Sequence, residues 1–139
     1  MFRFDHIYAF EIRNKVPSAV FERLPSKWMP AYHWINIGVS ADRDSPYNPL
    51  STILKTFDKD VFIVVKLDVD TPSVEIPLAY QILEDPEVYE RIDQFYFEHH
   101  VHLLELARAW GSSMNGTIGD SLRLFRGLRE KGVPAHFWP

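Results

Sequence analysis

The sequence contains no cysteine. Disulfide frameworks and thiolate metal sites are therefore excluded. Glycine is scarce, six in 139 residues. That is few for a cofactor-binding α/β domain, where glycine lets backbone approach the ligand. No apolar run approaches the roughly 20 residues of a membrane span. The formal net charge is −4, and the basic residues form no patch, which argues against a nucleic-acid groove. No G-x-S-x-G elbow or P-loop is present. The opening MFRFDHIYAF, with its early Asp5 and no cleavage-site pattern, does not read as a signal peptide. A cytoplasmic protein is expected.

What is present suits a single globular domain over residues 1–139. Hydrophobic residues make up 46% and aromatics 14%, enough to bury a core. Strand candidates alternate with helix candidates. The strands are Phe4 to Ile12, Tyr32 to Ser40, a third around VFIVVKLDVD, Ile92 to Glu98, and Val133 to Trp138. The apolar run from Val61 to Val65 predicts a strand covered on both faces, as in a parallel sheet. Helices are predicted at Ser18 to Leu24, Pro49 to Phe57, from Pro72 through Leu83, at Val101 to Trp110 and at Asp120 to Lys131. In the third of these, Ile76, Ala79, Tyr80 and Leu83 recur at helical spacing. Asp120 is a candidate cap of the last helix and Gly132 its stop. This order gives an α/β domain with a mostly parallel sheet of about five strands.

In an open parallel sheet, ligands gather beyond the carboxyl ends of the strands. Four strand ends carry polar groups: Glu11; Ser40 with Asp42 nearby; Asp68 and Asp70; and Glu98, His99 and His100. Asp68 and Asp70 are two apart and would share a face within a strand. Two carboxylates so close raise one pKa unless a cation or Lys66 offsets them. They read as a metal or catalytic acid pair or, more plainly, as a helix cap and a loop anchor. Glu98-His99-His100 offers oxygen and imidazole ligands suited to zinc, iron or manganese. Neighbouring histidines in a strand face opposite sides, so His100 and Glu98 form the pair that can share one. Arg123, Arg126, Arg129 and Lys131 lie with Leu122, Leu124, Phe125 and Leu128 on what reads as an amphipathic surface helix.

The order of the strand ends resembles the FkbM-type, S-adenosylmethionine-dependent methyltransferases. DHIYAFE at Asp5 to Glu11 is similar to their second strand, which ends in an acid. YHWINIGVSA at Tyr32 to Ala41 is similar to the third. VVKLDVD at Val64 to Asp70 resembles the fourth, with its K-I-D-V-E-G signature. IDQFYFEHH resembles the fifth, and SLRLFRGLREKGVPAHFW the helix and strand that follow. The resemblance implies a Rossmann-like three-layer fold with S-adenosylmethionine as cofactor and a small-molecule or glycan-type acceptor. By that likeness Glu11 holds the ribose, and Ser40 and Ala41 lie near adenine. Asp68 faces the cofactor's amino-acid part or the substrate, and Asp70 belongs with the cofactor-binding residues. Glu98 and His99 line the acceptor side, with a base role for His99 or His100.

This chain departs from the family in lacking the first strand and its glycine-rich loop. The signature's Glu-Gly is Asp70-Thr71, followed by Pro72, and a last antiparallel strand has no counterpart after Trp138. The family's first strand sits between the strands corresponding here to the first and third, so its loss would leave a gap. The chain is then a truncated methyltransferase, one completed by a partner chain or a second copy through the sheet edge, or a domain that has left methyl transfer behind. Two other classes stand beside it. One is a non-catalytic interaction subunit. The other is a divalent-metal enzyme using Asp68, Asp70, Glu98 and His99 or His100.

Overall fold

The computed structural model describes residues 3–105 and 107–138. It is an α/β chain built of two compact units, 1–40 and 41–139. Among the described residues the strands pair as two parallel sheets, one of two strands and one of three. No helix there is long and apolar enough to cross a membrane.

The first unit holds β1 (Ile7–Phe10), α1 (Pro17–Phe21), a 3-10 turn over Ser26–Ala31, and β2 (Tyr32–Ile35). β1 and β2 run parallel, with Ile7 opposite Tyr32 and Phe10 opposite Ile35. The Glu11 amide extends the ladder by donating to the Ile35 carbonyl at 3.1 Å. Beyond it, the Asn36 side chain donates to the Glu11 and Arg13 carbonyls (2.6 and 2.8 Å) and accepts from the Lys15 amide. This clasp replaces the ladder where the predicted strand had continued to Ile12. Rings supplement the pairing: Tyr8 stacks on His33 at 4.6 Å, and Phe21 meets Tyr32 edge-on.

The second unit contains α2 (Pro49–Thr52), β3 (Val64–Leu67), α3 (Pro72–Glu84), α4 (Pro86–Tyr89), β4 (Gln94–Phe97), α5 (Ala107–Trp110), α6 (Ile118–Glu130) and β5 (Ala135–Phe137). Its sheet order is β3-β4-β5, all parallel. β4, in the middle, alternates: Phe95 and Phe97 are fully buried, while Gln94 and Tyr96 are half-buried. Phe97 stacks with Phe125 of α6, so the core lies between sheet and helix. Leu78 and Ile82 of α3 and Leu124 and Leu128 of α6 complete it. At Gly127 an added Cβ would come within 3.0 Å of Leu83, so glycine permits the close approach of α6 to α3.

Several sequence expectations are corrected. β3 begins at Val64, and Val61 and Phe62 precede it exposed. The apolar run is not covered on both faces, since Val61 and Phe62 are exposed and Val64 and Val65 only half-buried. The helix expected over Val101 to Trp110 is helical only from Ala107. The Val101 amide turns back to the His99 carbonyl and the His102 amide bonds the Gly116 carbonyl, which leaves these donors no helical partner. Position 106 lies outside the described residues. α6 is capped by Thr117, not Asp120; the two form a reciprocal capping box, with Asp120 at the third helical position. Gly132 does stop the helix, at φ +88°. A buried polar link went unanticipated. Asn48 caps α2 and donates to Gln81 of α3, whose amide in turn holds the Ala41 carbonyl.

Candidate functional site

The strand ends of β3 and β4 converge in the second unit. β3 stops at Leu67, and the Glu98 amide continues the β4 pairing by donating to the Leu67 carbonyl at 3.2 Å. Asp68 and Asp70 do not share a strand face as predicted. Asp70 has turned into the left-handed region, φ 54°, so the two carboxylates part. Asp68 accepts a hydrogen bond from the Lys66 ammonium at 2.5 Å. Burial works against its ionisation, but Lys66, Glu98 and His100 together outweigh burial and hold the carboxyl below its usual range. Asp70 does not cap α3 either: the cap position belongs to Thr71, whose side chain makes no cap hydrogen bond.

Asp70 lies instead beside His100. The His100 ring is 5% exposed, with Nε2 3.0 Å from Glu98 Oε1 and Nδ1 3.9 Å from Asp70 Oδ1. The indole of Trp110 stacks on the imidazole at 4.0 Å between centroids and 22° between planes. One ligand atom from each of Asp70, Glu98 and His100 can be chosen so that all lie within 4.8 Å of one another. His100 Nδ1 is buried without a hydrogen-bond partner.

His99, the neighbouring imidazole, is on the other side. It stacks on Phe97 at 5.1 Å and makes no hydrogen bond with either ring nitrogen. Burial pushes its pKa down; the Asn115 backbone and Asp120 offset this only in part. His99 packs against the core and does not join the cluster.

The residue that sequence reading missed is Glu75, in the first turn of α3. It is 1% exposed. Its Oε2 accepts from the Val69 amide at 3.3 Å, while Oε1 is buried with no partner. Burial raises its pKa, opposed by the Val69 amide and His100 and reinforced by Asp70 and Asp68. The signal was present: Glu75, Leu78, Ala79 and Ile82 follow an i, i+3, i+4, i+7 pattern, which puts a carboxylate on the buried stripe.

The remaining predicted residues belong elsewhere. Glu11, in the first unit, turns its carboxylate back to accept the Arg13 amide at 2.8 Å. Ser40 ends that unit and Ala41 opens the next, where the Ala41 carbonyl is held by Gln81. The basic helix is largely a surface face, as predicted: Arg123 pairs with Asp120 and Arg126 with Glu130. Arg129 is the exception, clamping the Ala135 carbonyl with two donors. Compared with family models, with curated proteins and with solved structures, the chain matches none of them.

Proposed function

We propose that the chain is a Rossmann-like, S-adenosylmethionine-dependent methyltransferase domain whose acceptor side is the β3–β4 strand-end cluster. The observation that carries this reading is the pairing pattern. β1 pairs only with β2, β3 opens a separate ladder β3-β4-β5, and every pairing is parallel. The strand that the resembling family places between the equivalents of β1 and β3 is the one without a counterpart here. A chain without that strand is expected to leave its flanking strands unpaired with one another, and among the described residues β1 and β3 are not paired.

Bound S-adenosylmethionine supplies an electrophilic methyl group to an acceptor nucleophile. Asp68, fixed by Lys66, stays ionised and orients the polar end of cofactor or acceptor. Of the two histidines, only His100 is paired with a carboxylate, Glu98, so it is the group placed to take the acceptor's proton. His99 is set aside from that role by its burial against Phe97.

Calorimetric titration of S-adenosylmethionine into the protein tests the reading. Saturable binding is expected, weakened about tenfold or more by Asp68→Ala, the cost of a charge-assisted hydrogen bond. No heat of binding at millimolar cofactor would remove it.

A further inference from the structure

The geometry points to a divalent transition-metal site formed by Asp70, Glu98 and His100. It rests on residues of the second unit alone and holds whether or not the chain transfers methyl groups.

The donor atoms are nearly in place. Ligands about 2.0–2.2 Å from one ion stand roughly 3–4 Å apart, and the three here lie within 4.8 Å of one another. Side-chain shifts of an ångström or so would close the remaining distance, and the Asp70 side chain is 48% exposed. His100 is held ready: its ring is stacked under Trp110 and flanked by a carboxylate on each nitrogen, and Nδ1 has no hydrogen-bond partner. A buried imidazole left unsatisfied on the side facing an aspartate is costly unless something fills the place.

Charge points the same way. Lys66 is committed to Asp68. Among the described residues, no lysine or arginine pairs with Asp70, Glu75 or Glu98. Two carboxylates beside one imidazole leave an excess of negative charge that a dication neutralises.

Mixed imidazole and carboxylate donors suit Mn2+, Fe2+ or Zn2+ rather than Mg2+, which prefers oxygen alone. Three protein ligands leave positions for water or for a hydroxyl or carboxylate of a small molecule. The ion would lower the pKa of a bound hydroxyl. With the ion in place, His100 and Glu98 act as ligands, and ionising the acceptor passes from the imidazole to the metal.

The test is Mn2+ titration of metal-free protein without S-adenosylmethionine, following the loss of the free-ion electron paramagnetic signal. One Mn2+ per chain is expected, displaced one-for-one by Zn2+. Asp70→Asn and His100→Gln should each weaken binding about tenfold or more, since even outer-shell changes cost that much. Asparagine tolerates the left-handed backbone at position 70, so Asp70→Asn should keep the fold, checked by circular dichroism. Where His100→Gln fails to fold, Asp70→Asn alone decides. No stoichiometric uptake of either metal at millimolar concentration, or uptake unchanged in the folded variants, would overturn the site.

Discussion

The two units make parallel strands by different means. In the second, β4 is buried on its α6 face, and Phe95, Phe97, Phe125 and Leu128 are all but inaccessible. In the first, no residue of β1, β2 or α1 is buried, and Ala31 is the one buried apolar residue among those described. Its ladder is held by backbone bonds, stacked rings and the Asn36 clasp. Such interactions hold a shape but add little net free energy, because water competes for every one of them. The titratable cluster lies in the second unit, on elements whose positions a core dictates.

The sharpest way to break this contrast is truncation of comparable rings. Phe97→Ala should cost about 3–5 kcal/mol, read from the denaturant midpoint. Tyr8→Ala, at a ring 38% exposed, should cost about 1 kcal/mol or less. Equal losses would mean that the first unit has a core of its own. A smaller effect is expected at the helix starts. α6 has a full capping box, whereas α1 starts at Val16 with no side-chain cap. Thr117→Ala should therefore cost about 1 kcal/mol, and Val16→Ala nothing measurable.

The smallest effect is on pH dependence, to which two groups of the second unit, Glu75 and His99, contribute. Burial raises Glu75 above its ordinary 4.5. The folded state then binds the proton more tightly than the unfolded chain. Its stabilising contribution is complete below 4.5 and is lost as pH rises through the folded value. Burial lowers His99 below 6.5. Its contribution is complete above 6.5 and is lost as pH falls through the folded value. Chemical denaturation across pH should show Glu75→Gln removing the alkaline-side loss and His99→Asn the acid-side loss. A slope unchanged in Glu75→Gln would mean that its carboxylate is hydrated.

Much of the fold was legible because the strand segments are rich in β-branched and aromatic residues and most helices have a turn former near their start. The errors share a physical origin: pattern marks an element but not its neighbours. The run from Val61 to Val65 is apolar whether or not both of its faces are covered. On α3, the stripe through Ile76, Ala79 and Tyr80 is rotated about one residue from the one through Glu75, Leu78, Ala79 and Ile82. Tyr80 ends 39% exposed as a result, and a buried glutamate passed as a surface one. The convergence of Asp70, Glu98 and His100 was readable as strand-end chemistry. The parting of Asp68 from Asp70 was not, because it depends on one backbone torsion.

The segment between β4 and α6 has one further consequence. The Asn115 amide reaches the His100 carbonyl at 2.7 Å, and the His102 amide reaches the Gly116 carbonyl at 3.0 Å. The chain thus leaves and re-enters through a laced neck, with Trp110 folded back over His100. Lengthening a loop whose ends are already pinned costs only about 0.6 kcal/mol per doubling. This excursion is where the protein can acquire or lose sequence over evolutionary time, reshaping what lies over the imidazole while the strands beneath stay in register.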